Sequence, residues 1–328
     1  MKIELGEDPR VLATTALLVV PVFADEEKSW PYVPRAFSAG VGELGFVRVI
    51  DGREARDIGL LGLGRRTNFN QASAMTAGQS LGGAIASWPT VNVDLSNCTD
   101  LNAHDVGSFA EGLELGRFRF GGAIPASDEG PTVVLAVPQG QGRHAAYASV
   151  LERAAILARN TNWVRELVEM PPSDLTPGVL AELVVDRARA LGVAFEILDR
   201  ELLARRGFGG TLGVGAGSPN SPVVVVLRAG NRTSGASVLG LAGKGVTFDS
   251  GGINLKRDAA EIAYMKSDMA GAASVAAAIF AAVECGLAPD VTAILPMAEN
   301  MPGGGALKPG DVVAHPDGRR TEVVDTDW

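Results

Sequence analysis

The sequence predicts an α/β protein in two parts: a smaller N-terminal α/β domain over residues 1–160, joined by a long helix to a second α/β domain with a mixed sheet over 161–328. Three observations carry that reading. A chain of 328 residues exceeds what one core usually organises. Short apolar runs rich in β-branched residues alternate with runs of helical spacing. Between the two halves, Ala145 to Met170 keeps a helical pattern (Tyr147, Val150, Leu151, Ala154, Leu157, Ala158) until Pro171-Pro172 stops it.

In the first part, Val11 to Phe23 reads as the first core strand, densest from Ala16 to Val22. Asp57 to Leu63, Val91 to Leu95 and Pro131 to Val137 have the same character of buried strands. Ala72 to Ser87 and His104 to Leu115 space Ala, Leu, Ile and Phe as helices do. Trp30, Trp88, Phe118 and Phe120 read as core or interface residues. Gln139 to Arg143 reads as a flexible lead-in to the connecting helix. In the second part, Thr176 is placed to cap a helix with Pro177 at its first position, running over Val179 to Ala190 and ending at Gly192. Val193 to Leu198, Pro222 to Leu227, Ser237 to Ala242 and Asp290 to Leu295 are the strands expected next, the third of them buried.

Composition narrows the function classes. Hydrophobic residues make up 46% of the chain and charged residues 20%, an ordinary globular balance, and the net charge of −9 argues against a nucleic-acid surface. The apolar run near the N-terminus is too short to span a bilayer and too acidic in its surroundings for a signal peptide, so no membrane partner is expected. Cys98 and Cys285 stand alone and are read as buried small hydrophobes in a reducing compartment. His104, His144 and His315 fall at no ligand spacing. Gly213-Val-Gly-Ala-Gly217 is followed by Ser218-Pro-Asn-Ser-Pro222, which prevents a dinucleotide-binding helix from opening there. Gly243-Lys244 lacks the Ser or Thr and the upstream Gly of a phosphate loop, and no serine-hydrolase elbow occurs.

The chemistry concentrates in Leu241 to Lys256. Glycines at 243, 245, 251 and 252 let a loop over Lys244 to Gly252 approach a ligand closely, so Lys244, Asp249 and Lys256 can be aimed at one point beyond a strand end. Asp268 opens an Ala-rich helix, Asp268 to Cys285, stopped by Gly286. Asp327 arrives on a third segment, Thr321 to Asp327, read as a strand end. Three carboxylates in one place need cations between them. Divalent ions would supply that charge, and so would Lys244 and Lys256 alone as a structural ion-pair network.

These strings resemble the leucine aminopeptidase (cytosol aminopeptidase) family of two-metal exopeptidases. The likeness lies in Gly243-Lys-Gly-Val-Thr-Phe-Asp-Ser-Gly-Gly-Ile-Asn-Leu-Lys256, Met265-Lys-Ser-Asp-Met269, Glu299-Asn-Met-Pro302 with Ala306-Leu-Lys-Pro-Gly-Asp311, and Leu167-Val-Glu-Met-Pro-Pro-Ser-Asp-Leu-Thr-Pro177. It covers about residues 150 to 327. The resemblance implies a catalytic second domain that hydrolyses the N-terminal residue of peptide substrates with two divalent ions. Lys244, Asp249, Asp268 and Asp327 match metal ligands, Asp249 the bridging one, and Lys256 matches the catalytic lysine. Oxygen-rich ligation suits manganese or magnesium and a neutral lysine amine suits zinc, so manganese and zinc both stay open. A cytoplasmic hexamer is implied as well. Family members continue through an Asn-Thr-Asp-Ala-Glu-Gly-Arg-like string, whereas this chain reads Asp325-Thr-Asp-Trp328 and stops. It therefore looks like a truncated member with a partial metallopeptidase domain. The alternative is a catalytically inactive relative acting as a binding or assembly module.

Overall fold

The computed structural model of the chain describes residues 1–6, 16–26, 33–51, 54–99, 101–121, 130–138, 143–230, 238–287 and 290–327. It divides into two compact units, Met1–Arg159 and Asn160–Trp328.

The first unit is a mixed sheet with helices. In chain order it runs β1 (Lys2–Gly6), β2 (Leu17–Val22), β3 (Leu44–Asp51), β4 (Glu54–Gly62), α1 (Gln71–Ala84), β5 (Thr90–Asp94), α2 (Ala103–Gly116), β6 (Thr132–Ala136) and α3 (Arg143–Glu169), the last crossing into the second unit. The strand order is β1-β6-β5-β2-β4-β3, parallel except for the antiparallel edge strand β3. Alternation along each strand feeds two cores. Leu17 and Val19 join Leu61, Val91, Val133 and the helices on one face, and Val20 and Val22 join Ile58, Leu60 and Phe37 on the other. Pro21 is tolerated in this central strand because β5 pairs only Leu17 to Val19 and leaves the Pro21 position unpaired on that side.

Here the structure corrects the sequence reading. Two strands were not foreseen: β1, which precedes the run read as the first core strand, and β3. Val11 to Thr15, Trp30 and Gln139 to Gly142 lie outside the described residues. Phe120 is exposed, while Trp88 stacks on Phe46 at 5.3 Å between ring centroids. Cys98 is buried as expected but Cys285 is only half-buried.

The second unit continues with α4 (Pro177–Ala190), β7 (Ala194–Leu198), α5 (Arg200–Arg205), α6 (Gly209–Val214), β8 (Val223–Ala229), β9 (Leu239–Ala242), β10 (Gly245–Asp249), α7 (Ala259–Tyr264), α8 (Ala270–Glu284), β11 (Val291–Asn300) and a hairpin of β12 (Val312–Ala314) with β13 (Arg320–Glu322). Thr176 caps α4 through Val179 N, with Pro177 at the start. The sheet order is β10-β11-β8-β7, and β9 pairs the first half of β11. Four consecutive valines make β8 a doubly buried strand. Val223, Val225 and Leu227 meet α4 and α8, while Val224 and Val226 meet Leu203 and Leu212.

Three expectations change here. The stretch read as a loop from Lys244 is largely strand, because Gly245 to Asp249 pairs in parallel with Met297 to Asn300. The strand read as buried over Ser237 to Ala242 is β9, at a sheet edge and mostly exposed, with Ser237 outside the described residues. The helix read from Asp268 begins at Ala270 and follows a 3-10 turn, Met265–Ser267, that Asp268 closes. Its end is as read, with Gly286 left-handed at φ +71°.

Candidate active site

The site lies at the carboxyl ends of the parallel pair β10 and β11, where Asp249 stands opposite Asn300. Its construction begins one strand-length earlier. Ala242 faces Ile294 and Gly245 faces Met297, so β10 takes up the register of β9 along β11 after a break at Gly243-Lys244, and the register then shifts by one residue between Val246 and Phe248, which brings Asp249 opposite Asn300. Pro296, which has no N–H to give, stands opposite that interruption. The Lys244 carbonyl turns instead to α8 and accepts from Ala272 N at 2.7 Å. Glycine permits this approach. A Cβ on Gly243 would lie 2.7 Å from Ala272 Cα, and one on Gly271 would lie 3.1 Å from Lys244 N. The result is an ion pair, with Lys244 Nζ 3.2 Å from Asp268 Oδ2.

After Asp249 the chain reverses. Gly251 and Gly252 take φ +92° and +68°, and Lys256 N donates to Ser250 O at 3.0 Å, returning the Lys256 side chain toward Asp249. A side chain at 251 would meet Asn254 O at 2.5 Å, so only glycine fits this turn. Lys256 Nζ hydrogen-bonds Asp327 Oδ1 and lies 3.9 Å from both Asp249 Oδ2 and Glu261 Oε1. The sequence-derived residues are therefore brought together as two contacts, Lys244 with Asp268 and Lys256 with Asp327, with Asp249 facing Lys256. Among the described residues no three His, Cys, Asp or Glu side chains are gathered closely enough to hold an ion by themselves.

Burial differs sharply across the set. Asp249 is 1% exposed, and its Oδ1 accepts from Gly251 N at 2.9 Å and Asn300 Nδ2 at 2.7 Å. The side chain of Lys256 is 7% exposed and that of Lys244 45%. Burial pushes the Lys256 pKa down, but the Asp327 hydrogen bond and the charges of Asp249, Asp327 and Glu261 outweigh it and hold the ammonium above its ordinary value. Burial raises Asp268; the attraction of Lys244 opposes this, while the charge of Asp249 adds to it. Asp268 Oδ2 is buried, and the partner that meets it is the Lys244 ammonium at 3.2 Å. A buried carboxylate oxygen met by a single ammonium, beside a second buried carboxylate, has the chemistry of a cation ligand. The donor set thus fits divalent ions in kind, with the two ammonium groups supplying the positive charge in this arrangement.

Sequence reasoning gave no role to Asn300, Thr326, Ser250 and Glu261. Asn300 lay within a string used only for resemblance. Thr326 stood between two aspartates as an unremarked residue. Neither ionises, so no charge pattern singles them out, although both are buried and hydrogen-bonded in the site.

The chain is an α/β protein whose Lys and Asp groups meet at strand ends under glycine turns. Residues 162–328 match the catalytic domain of the cytosol aminopeptidase family and residues 35–122 match that family's N-terminal domain. A "Probable cytosol aminopeptidase" of Streptomyces coelicolor is 41% identical over 241 residues, covering 69% of this chain and 46% of the relative. One of Corynebacterium diphtheriae is 34% identical over 323 residues, covering 98% of this chain and 62% of the relative. The solved structure of the "Bottromycin maturation enzyme BotP in complex with Mn" superposes with a TM-score of 0.78 at 32% identity, covering 96% of this chain and 66% of that one. The chain belongs to the cytosol aminopeptidase family. It spans about half the length of several of the relatives it matches, 46% of the Streptomyces coelicolor protein.

Proposed function

We propose that the protein is a leucyl aminopeptidase-type exopeptidase that releases N-terminal residues from peptides with two divalent metal ions, manganese or zinc. The observation that supports this best is the convergence of Lys244, Asp249, Asp268, Lys256 and Asp327 at one strand end, with a buried Asp268 oxygen met only by the Lys244 ammonium. Lys244, Asp249, Asp268 and Asp327 would hold the ions, with Asp249 shared between them. Bound there, the ions would supply an activated water and a polarised scissile carbonyl. Asn300 Nδ2 and Gly251 N fix one oxygen of Asp249 and leave the other turned toward Lys256. Lys256 keeps its proton, because three carboxylates surround it, and presents a positive charge where an oxyanion forms. Lys244 would hold metal through its neutral amine. Peptide substrates and a cytoplasmic homo-oligomer follow from the same family reading.

A second reading has an observation of its own. The pairs Lys244 with Asp268 and Lys256 with Asp327 already balance charge, as an ion-pair network of a catalytically inactive binding or assembly module would. Calorimetric titration with Mn²⁺ and Zn²⁺, alongside release of N-terminal residues from aminoacyl amides, separates the two. Two binding sites and chelator-sensitive turnover support the exopeptidase. Absence of both supports the network.

A further inference from the structure

Two buried, uncharged residues join the segment that carries Asp327 to the turn that carries Asp249 and Lys256. Asn300 is 4% exposed, and its amide nitrogen donates to two groups, Asp249 Oδ1 at 2.7 Å and Thr326 O at 2.9 Å. Its backbone carbonyl meanwhile accepts from Ser250 N at 3.0 Å and Ser250 Oγ at 2.8 Å. Thr326 is 1% exposed. Its hydroxyl accepts from Asn254 N at 2.8 Å and lies 2.8 Å from Gly251 O and 3.0 Å from Asn254 Oδ1, either of which can take its single proton. Gly252 makes room for the junction, since a Cβ there would lie 2.8 Å from Asn300 Oδ1 and 3.2 Å from Thr326 Oγ1. No side chain in this junction except that of Asp249 is charged.

The same segment has few other ties among the described residues. Val323 N donates to Asp311 O and Val323 O accepts from Gly310 N, and Asp325 Oδ1 accepts from Asp327 N. The Thr326 contacts are thus what join the last described turn to the rest of the site, apart from the Asp327 to Lys256 pair.

We propose that Asn300 and Thr326 form a positioning clip that couples the placement of Asp249 to that of Asp327, so that the two carboxylates are presented to a cation together. One amide group spans the side chain of the first and the backbone of the residue before the second. Movement of either is therefore felt by the other. The proposal rests on the metal-ligand reading given above, and its first readout is independent of metal.

Thr326→Val keeps the shape of the side chain and removes the hydroxyl, whereas Thr326→Ser keeps the hydroxyl. Hydrogen exchange of the whole chain without metal is expected to quicken in residues 250–256 and 323–327 for Thr326→Val and to stay at the wild-type rate for Thr326→Ser. Mn²⁺ affinity, followed by calorimetry, should fall about 10- to 100-fold in Thr326→Val, the usual consequence of losing a residue that orients a ligand, and return to near wild type in Thr326→Ser. Asn300→Ala, with far-UV circular dichroism as the folding control, should reproduce the Thr326→Val result in both segments. Unchanged exchange and unchanged affinity in Thr326→Val would overturn the clip. Faster exchange with no Mn²⁺ binding even by the wild type would instead uphold the clip and overturn the metal reading, so the two failures are distinguishable. Loss in Thr326→Ser with none in Thr326→Val would show that packing of the methyl group, and not the hydroxyl, holds the segment, and would also overturn the proposal.

Discussion

The two residues at the centre of the site, Asp249 and Lys256, should separate in mutation because they hold different kinds of bond. Asp249 is buried, with two N–H donors on one oxygen. Asp249→Ala strands the donors of Gly251 and Asn300, at a cost of about 1–3 kcal/mol for each buried group left unpaired, and removes the carboxylate proposed to be shared between the ions. Its expected result is loss of metal binding together with a lower melting temperature. Lys256→Ala removes the cation facing three carboxylates and should lower kcat by a factor of order 10²–10³ while leaving Mn²⁺ stoichiometry intact. Calorimetry and steady-state kinetics on the two variants check this, and loss of metal by Lys256→Ala would refute the role assigned to that lysine. These charged residues were legible in the sequence because glycines flank them and because they recur in family strings. Their partners were not. Asn300 and Thr326 contribute hydrogen bonds over 26 to 75 residues of separation, and no local pattern encodes such a contact. Nor could spacing show that Lys256 would face Asp327 and Lys244 would face Asp268. That pairing depends on where the Gly251 turn and the Gly243 approach to α8 direct each side chain.

The crossing of α1 and α2 shows the same limit for elements. Each helix carries two glycines four apart, Gly78 and Gly82 in one, Gly112 and Gly116 in the other. A Cβ on any of them would lie 2.1–2.2 Å from a carbonyl oxygen of the facing helix. The backbones therefore touch, and a methyl group must push the helices apart. Gly112→Ala should destabilise the first unit by about 1–3 kcal/mol despite the better helix propensity of alanine. Gly178→Ala, in the exposed first turn of α4 with nothing within 4 Å of its Cβ, should stabilise slightly, by up to ~1 kcal/mol. Thermal melts that gave both substitutions the same sign would refute this account. Helix periodicity and caps were legible, as Thr176-Pro177 and Gly286 show. Edge position was not: β3 is amphipathic enough to escape notice, and β9 is as apolar as a core strand although it lies at the margin. Apolar content tells how readily a strand can be buried, and pairing order decides whether it is.

At the scale of the whole molecule, the two units have separate cores, and every residue proposed to bind metal belongs to the second. Ligand binding stabilises only what it binds, by RT ln(1 + [L]/Kd), or about 2.7 kcal/mol at a hundredfold excess over Kd. Scanning calorimetry should therefore resolve two transitions that answer to different perturbations. Mn²⁺ should raise the transition of the second unit and leave that of the first in place, and a chelator should reverse the shift. Gly112→Ala should lower the transition of the first unit and leave the metal-dependent one unmoved, because sites that share no partners contribute additively. Asp249→Ala should abolish the Mn²⁺ shift without touching the first transition. A single transition moved by both Mn²⁺ and Gly112→Ala would mean that the two cores unfold as one cooperative body, with the long helix α3, roughly 40 Å at 1.5 Å per residue, transmitting the loss of either to the other.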